Sequence, residues 1–258
     1  MIMNKITDIL DLLLIEDNPG DVRIIRELLH DQPECKLFDV NSISSAFAYL
    51  DKNKTDLVLL DLGLPDSQGL DTVRKVVSQI PLIPVIVLTG FNDNELALAS
   101  IKIGAQDYLI KGKIDADMFQ RSIHHSIERK QLELALRESQ ANLAALTENS
   151  KDSIWSVDKQ FCLITGNSVF HEHIKTYFGT RIETGENTLE LGMIPESKKL
   201  WRNYYQRVLN GERFNIEKEA HSAGETMHID YAFNPLMTSE GEITGIVVSG
   251  RDITERRK

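Results

Sequence analysis

Short apolar runs alternate with helical stripes over the first half of the chain. The runs are four to six residues long, which suits buried strands better than helices, and apolar residues then recur every three or four positions. This alternation predicts an α/β doubly wound parallel sheet with right-handed crossover helices. The five predicted strands are Leu12–Ile15, Cys35–Val40, Asp56–Asp61, Pro84–Thr89 and Gln106–Ile110.

A long helix is predicted from Asp115 onward, and it carries two apolar stripes in succession. The first stripe, from Met118 to Ile127, is suited to docking on the sheet. The second repeats at alternating four- and three-residue steps, which favours a parallel two-stranded coiled coil over one amphipathic helix packed on its own chain. The expected domains are 1–127, a helical linker over 128–147, and 148–258. The second stripe comprises Leu132, Leu136, Ser139, Leu143 and Leu146.

The pattern after Thr147 is that of an α+β domain on an antiparallel sheet. Short strands and small helices come first, and three later strands are separated by turns at Gly224-Glu225 and Gly241-Glu242. Helices are predicted through Phe170–Phe178 and over Ser197–Leu209. The five predicted strands are Ser153–Val157, Phe161–Thr165, Phe214–Ala220, Met227–Asn234 and Ile243–Arg251.

Composition and charge exclude several classes of protein. A chain of 258 residues is long enough for two domains with their own cores. The net charge of -10 argues against direct binding to DNA or to an anionic membrane. Acidic residues interrupt the N-terminal apolar stretch, and no apolar run approaches the roughly 20 residues of a membrane helix. We therefore expect a soluble, cytoplasmic protein in which Cys35 and Cys162 are reduced, buried thiols.

Polar side chains follow four of the predicted parallel strands at their carboxyl ends. Parallel strands bring these ends to one edge of the sheet, where open α/β folds bind ligands. Carboxylates gathered there repel one another, and Mg²⁺, which prefers oxygen ligands, relieves that repulsion. A hydroxyl and an ammonium beside them suit a phosphoryl group in transfer. These residues are Glu16, Asp17, Asp61, Thr89 and Lys111.

The motifs LLLIEDN, DLVLLDLGLPDSQG, PVIVLTG and GAQDYLIKG occur in an order and spacing that resemble the receiver domain of two-component response regulators. The resemblance extends from Leu12 to about Ile127. It implies a flavodoxin-like sheet of order 2-1-3-4-5. It also implies that Asp61 accepts a phosphoryl group from a histidine kinase with Mg²⁺ as cofactor.

The resemblance also implies the roles of the neighbouring residues. Asp17 would bind Mg²⁺ directly, Glu16 through a water molecule, and Gly63 through its carbonyl oxygen. Thr89 would donate a hydrogen bond to the phosphoryl group, and Lys111 would pair with it.

Four residues bear on how closely the chain matches this family. Tyr108 matches the family's switch aromatic, although an ordinary edge-strand aromatic is the alternative. Gly112 follows the lysine where many receivers have proline, so a cis peptide bond is not expected. Phe91 and Gly63 stand where other receivers position an attacking water, and neither side chain can do so. We therefore predict a long-lived phosphoryl state.

The second half resembles a PAS sensor domain from about Leu143 to Arg257. The resembling segments are ENSKDSIWSVDKQF, the following Asn167, the YAFNPL strand and the closing GRDITERRK. In that family, Asp252 would pair with a residue at the start of the domain, and Thr254 would cap an outgoing helix that passes the signal on. A plain strand end followed by a capped helix is the alternative.

Haem and flavin are not expected in this half. His171 and His173 lie among charged residues, as solvated histidines do, and Cys162 lies in a predicted strand rather than in the helix motif of flavin-binding relatives. The aromatic residues are expected to form core. A small-molecule pocket and a PAS domain that only dimerises both stay open. The aromatic set is Trp155, Phe161, Phe170, Trp201, Tyr231 and Phe233.

The main functional hypothesis is a response regulator in which phosphorylation at Asp61 changes the receiver, and the helix carries that change to a dimeric PAS half. A second hypothesis is the front end of a histidine kinase or cyclase whose output module follows Lys258. No kinase or cyclase motif occurs within this sequence, so no output enzyme is expected here. A third hypothesis is a receiver that serves only as a dimerisation scaffold.

Overall fold

The computed structural model describes residues 9–30, 32–90, 94–222 and 225–257. The chain divides into two compact units, with the division between Glu138 and Ser139. The first unit holds strands β1 (Leu10–Ile15), β2 (Cys35–Val40), β3 (Leu57–Asp61), β4 (Gly63–Leu64), β5 (Ser67–Gln68), β6 (Val85–Thr89) and β7 (Asp107–Ile110). Its helices are α1 (Pro19–Leu28), α2 (Ile43–Leu50), α3 (Leu70–Gln79), α4 (Asn94–Ile103) and the start of α5 (Ala116–Glu148).

The main sheet of this unit is parallel, in the order β2-β1-β3-β6-β7. This is the predicted 2-1-3-4-5 order once the two-residue strands β4 and β5 are set aside. Every residue of β3 is buried, because helices cover both faces of a doubly wound sheet. Leu59 joins the core cluster on one face with Phe119 of α5, whereas Leu60 joins the cluster on the other face with Val73 of α3.

The segment after Asp61 is more ordered than the simple loop that the sequence predicts. Strands β4 and β5 form a small antiparallel hairpin around Pro65-Asp66. The Asp66 carboxylate accepts hydrogen bonds from the backbone N–H groups of Ile43 (3.1 Å) and Ser44 (3.0 Å), at the start of α2. Gly69 has a φ of 60°, a conformation that glycine adopts without a steric penalty, and α3 begins directly after it.

An asparagine cap decides where α1 begins. Asn18 caps α1 with its side-chain oxygen 2.9 Å from the N–H of Gly20, and Pro19 is the first helical residue, as predicted. The predicted cap of α4, Asn92 or Asp93, lies outside the described residues, as do Phe91 and Gly224.

The two apolar stripes predicted on helix α5 differ in burial. Phe119, Ile123 and Ile127 are buried in the core of the first unit, whereas Met118 is exposed, which corrects the first stripe at that position. The leucines of the second stripe are exposed by 61–73%. Among the described residues, no helix is both long enough and apolar enough to cross a bilayer.

The second unit is an antiparallel sheet with two helices. Its strands are β8 (Ser153–Asp158), β9 (Leu163–Gly166), β10 (Phe214–Ser222), β11 (Glu225–Met237) and β12 (Ile243–Asp252), in the order β10-β11-β12-β8-β9. Its helices are α6 (Ser168–Phe178) and α7 (Pro195–Leu209), with 3-10 turns at Thr188–Glu190 and Thr254–Arg257.

Strand β9 begins two residues later than predicted. Phe161 has a φ of 66°, in the left-handed region that non-glycine residues rarely adopt, so it belongs to a turn rather than to an extended strand. The Asp158 carboxylate stabilises this turn by accepting hydrogen bonds from the N–H groups of Gln160 and Cys162, each at 2.8 Å. Cys162 and Cys35 are free thiols. Both are half-buried, whereas the sequence predicts buried thiols.

Asn167 joins three segments of this unit. Its side-chain oxygen accepts hydrogen bonds from the N–H groups of Phe170 and Ile154, each at 3.0 Å. Its amide nitrogen donates to the carbonyl oxygens of Thr147 (2.9 Å) and Asp152 (2.8 Å). The end of α5, the start of β8 and the start of α6 therefore depend on one buried amide.

Candidate functional site

The carboxyl ends of four parallel strands bring the predicted residues together. Glu16 and Asp17 follow β1, Asp61 ends β3, Thr89 ends β6, and Lys111 follows β7. The parallel register holds these ends level, since Asp61 pairs with Leu88 and Thr89 pairs with Ile110. The sequence therefore places five polar groups at one edge of the sheet because each strand stops there.

The Lys111 ammonium is the centre of this cluster. Its Nζ lies 2.5 Å from Glu16 and 2.8 Å from Asp21, and it also contacts Asp61 Oδ1. Glu16 is almost fully buried, and the side chain of Lys111 is only 22% exposed. A charge-assisted network in such a site is stronger than a surface ion pair.

The electrostatic environment shifts the pKa of two of these groups. Burial lowers the pKa of Lys111, but hydrogen bonds to Asp21, Asp61 and Glu16 outweigh it, so the pKa is raised overall. Burial raises the pKa of Glu16, and the hydrogen bonds from Lys111 and from the Asn18 N–H offset only part of this effect. Lys111 is therefore a permanent cation at neutral pH.

The carboxylates fit a hard divalent cation. One oxygen from each of Glu16, Asp17 and Asp61 lies within 4.8 Å of the others. Asp17 is exposed while Glu16 and Asp61 are buried, so the cluster is open to solvent on one side. An all-oxygen donor set with room for water molecules is what Mg²⁺ prefers. Glu16, Asp17 and Asp61 therefore supply a donor set that fits Mg²⁺.

Gly63 lies beside the Asp61 carboxylate. Its N–H donates a 2.6 Å hydrogen bond to Asp61 Oδ2. A Cβ at this position would lie 3.3 Å from the same oxygen, which is a tight contact. A side chain at this position would therefore displace the Asp61 carboxylate by a few tenths of an ångström.

Thr89 and Tyr108 are near the cluster but are not bonded to it. Thr89 is buried, and within the described chain its hydroxyl has no hydrogen-bond partner. A buried hydroxyl of this kind costs free energy unless a ligand or another state supplies a partner. Tyr108 pairs with Val87 across the sheet and packs half-buried against the core beside α4.

Asp21 is a member of the cluster that the sequence reasoning missed. It lies in the first turn of α1, where an acidic residue is ordinarily explained by the helix dipole. A signal was available: Asn18 and Pro19 predict the start of α1, and a carboxylate in its first turn lies close to the end of β1. Only the fold shows that Lys111 reaches it.

Family models match both halves of the chain. The response regulator receiver domain matches residues 12–124, and the PAS fold matches residues 147–258. The chain is a receiver domain followed by a PAS domain. The resemblance drawn from the sequence motifs is thereby confirmed for both halves.

Curated relatives match the receiver half. The methanogenesis regulatory protein FilR1 of Methanothrix harundinacea (strain 6Ac) is 30% identical over 115 residues, which are 43% of this chain and 25% of that protein. The KDP operon transcriptional regulatory protein KdpE of Escherichia coli (strain K12) is 32% identical over 101 residues, 39% of this chain and 44% of that protein. The receiver–PAS chain thus spans between a quarter and a half of the length of these relatives.

Solved receiver domains are similar to the same half. A response regulator receiver domain protein from Clostridium thermocellum is 28% identical, covers 48% of this chain and 98% of its own, and has a TM-score of 0.43. The signal receiver domain of a putative Luxo repressor protein from Vibrio parahaemolyticus is 30% identical, covers 49% of this chain and 95% of its own, and also has a TM-score of 0.43.

The two residues proposed for signal output lie at the end of the PAS domain. Asp252 accepts hydrogen bonds from the N–H (2.8 Å) and hydroxyl (2.5 Å) of Thr254, and the Thr254 hydroxyl accepts one from the N–H of His228 (2.9 Å). The residue that pairs with the start of the domain is Arg251, whose guanidinium lies 2.8 Å from Asp152. This corrects the expected pairing of Asp252, whose carboxylate serves the 3-10 turn that begins at Thr254.

Proposed function

We propose that the receiver domain accepts a phosphoryl group on Asp61 from a histidine kinase and passes the change to the PAS domain. The observation that carries this proposal is the contact of Lys111 with Asp61 beside the carboxylates of Glu16 and Asp17. The receiver family model and the curated regulators that match this half support the same function.

The proposed transfer is a displacement at phosphorus. A carboxylate oxygen of Asp61 forms a bond to phosphorus as the bond to the imidazole nitrogen of the donor breaks. The other ring nitrogen of the donor phosphohistidine carries a proton, so the ring leaves as neutral imidazole. The Gly63 N–H holds Asp61 Oδ2 and so orients the carboxylate. Lys111 moves from Asp61 to the phosphoryl oxygens, and the Thr89 hydroxyl gains there the partner that it lacks.

Glu16, Asp17 and Asp61 would hold Mg²⁺ in this scheme, with the Gly63 carbonyl oxygen as a further ligand. The bound ion would offset the negative charge of the phosphoryl oxygens. Asp17, the most exposed of the three, suits direct coordination, whereas buried Glu16 already shares a hydrogen bond with Lys111 and suits a contact through water.

The signal would leave through α5. Movement of Thr89 toward the phosphoryl group opens space for the Tyr108 ring on the neighbouring strand, which alters the surface formed by α4, β7 and α5. Helix α5 is docked on this domain through Phe119 and Ile123 and continues without a break to Glu148. The register of α5, and the position of the Asp252–Thr254 end of the PAS domain, would then differ between the phosphorylated and the unphosphorylated protein.

The exposed leucines of α5 support a homodimer. Four leucines at heptad spacing are each more than 60% exposed. Exposure of this apolar surface to water costs free energy, and burial against a second copy of the same helix would remove that cost. The stripe is short and contains Ser139, so the flanking domains would have to contribute to the dimer. These leucines are Leu132, Leu136, Leu143 and Leu146.

A labelling experiment tests the phosphoacceptor proposal. The full chain is incubated with Mg²⁺ and radiolabelled acetyl phosphate, and acid-labile phosphate is counted. Asp61→Asn should abolish the label. Asp56→Asn, at the other end of the same strand segment, is the matched control and should retain it, because the Asp56 carboxylate accepts a hydrogen bond from the backbone N–H of Asp11 rather than contacting Lys111. An unlabelled wild type would contradict the proposal and favour a receiver that acts as a scaffold.

A further inference from the structure

The PAS domain contains a cavity of about 490 Å³ that lies between the sheet and helices α6 and α7. Small-molecule sites commonly have volumes of about 300–1,000 Å³ and combine apolar walls with a few polar groups. The cavity has both kinds of group, and its lining lies entirely within the second unit. Its composition therefore identifies the chemical class of ligand that fits it.

Aromatic rings form much of the wall. Trp155 stacks on Phe170 with ring centroids 5.0 Å apart, and Tyr231 meets Trp201 edge to face at 5.2 Å. All four rings line the cavity. Such a wall favours a flat, apolar ligand, because an aromatic ring of the ligand can stack on these rings or contact them edge to face.

A lysine breaks the apolar pattern of this wall. Along β10, Phe214 and Ile216 pack against the core, and Lys218 occupies the next position on the same face of the strand. Its partner across the sheet is Ile229, which is buried and lines the same cavity. The alternation of the strand thus predicts an apolar side chain where the chain has an ammonium.

The Lys218 ammonium has no carboxylate partner within the described residues. Burial lowers its pKa, which reports the cost of desolvating this cation. Glu219 also lines the cavity, but it is largely exposed and lies 3.8 Å from His228 Nδ1 on the neighbouring strand. His173 is half-buried in the lining, and burial lowers its pKa, so at neutral pH it is uncharged. Lys218 is therefore the positive charge available to a ligand.

We infer that this cavity binds a small aromatic carboxylic acid, with its ring against the wall formed by Trp155, Phe170, Trp201 and Tyr231 and its carboxylate on Lys218. The inference goes beyond the proposed function, which assigns no ligand to the PAS domain. A carboxylate supplies the ion-pair partner that Lys218 lacks, and the half-buried position makes this pair stronger than one on the open surface.

Intrinsic fluorescence provides a direct test. The chain contains two tryptophans, Trp155 and Trp201, and both line the cavity, so a bound guest changes their emission. The probes are 3-phenylpropionate and its neutral amide, which share one ring and one length. We expect a saturable change with the acid, at an affinity about tenfold or more above that of the amide, since one desolvated charge pair separates them.

Variants assign the preference to one side chain. Lys218→Met should remove the preference for the acid over the amide, and Lys218→Arg should keep it. Lys159→Met is the matched control, because Lys159 pairs with Glu242 and does not line the cavity, and it should bind as the wild type does. Equal binding of acid and amide to the wild type, or an unchanged preference in Lys218→Met, would overturn the inference. Tighter binding of octanoate than of 3-phenylpropionate would overturn its aromatic part.

The titrations use the unphosphorylated chain without a phosphodonor, and Asp61→Asn is expected to bind the acid normally. A failure of binding with normal labelling at Asp61 would therefore count against this inference alone. Normal binding in a chain that takes no label would count against the phosphoacceptor function alone.

Discussion

Lys111 Nζ lies 2.8 Å from the carboxylate of Asp21 while it also contacts Asp61. Asp21 comes from the first turn of α1, whereas the other acidic groups of the cluster end or follow strands. Lys111 is thus shared between a carboxylate that would become phosphorylated and one that would not. In the proposed function, Asp21 would compete with the phosphoryl group for the ammonium and would add negative charge near an anionic donor.

Replacing Asp21 by Asn should speed phosphorylation of the receiver. Removal of one negative charge lessens repulsion of the donor and frees Lys111, and we expect a rise of about threefold in the rate with acetyl phosphate at low salt. Asp71→Asn is the control, because Asp71 lies in the first turn of α3 and pairs with exposed Arg74. An Asp21→Asn rate equal to or below that of the wild type would contradict this competition.

Thr89→Val should slow phosphorylation of the receiver without lowering its free energy of unfolding. The Thr89 hydroxyl is buried without a partner in the described chain, so an isosteric methyl group should leave the free energy of unfolding unchanged or raise it by up to about 1 kcal/mol in urea titrations. The same variant should accept the phosphoryl label several times more slowly, while Thr89→Ser should stay close to the wild type. A loss of stability in Thr89→Val beyond that of Thr89→Ser would show that the hydroxyl has a partner in the unphosphorylated protein.

The lifetime of the phosphoryl group should be long because neither Gly63 nor Phe91 can position an attacking water. Phe91→Glu should speed the decay of acid-labile phosphate by about 100-fold, the lower end of the range for general base catalysis. Phe91→Leu is the control and should leave the decay unchanged. Gly63→Asn is a second test, although its Cβ would crowd Asp61 Oδ2 at 3.3 Å, so slower labelling is expected together with faster decay. Unchanged decay in Phe91→Glu would refute the explanation.

The leucine stripe of α5 should govern the oligomeric state. We expect the wild type to sediment as a dimer at micromolar concentration and Leu136→Lys combined with Leu143→Lys to sediment as a monomer, since each buried leucine contributes about 2 kcal/mol. Leu82→Lys is the control, because Leu82 is as exposed as these leucines but lies outside the stripe. A monomeric wild type, with and without acetyl phosphate, would end the coiled-coil proposal.

Local patterns of apolar, capping and turn residues were sufficient to predict much of the fold. The apolar runs predicted all five strands of the main sheet, and β2 has the predicted bounds Cys35–Val40. Asn18 and Pro19 predicted the start of α1 because capping depends on neighbouring residues alone. The turn at Phe161 escaped prediction, since an aromatic residue with a positive φ contradicts its own local preference.

The motifs of the receiver predicted the members of its site but not all of their contacts. The sequence by itself determined that Glu16, Asp17, Asp61, Thr89 and Lys111 stand at strand ends, because the length of each apolar run decides where its strand stops.

Only the tertiary structure decided that Lys111 also reaches Asp21, that Arg251 rather than Asp252 pairs with Asp152, and that Lys218 faces a cavity. Each of these relationships joins side chains from elements that are distant in sequence or packed from different layers. Their distances depend on how the layers pack, and no local pattern of apolar and polar residues encodes that packing.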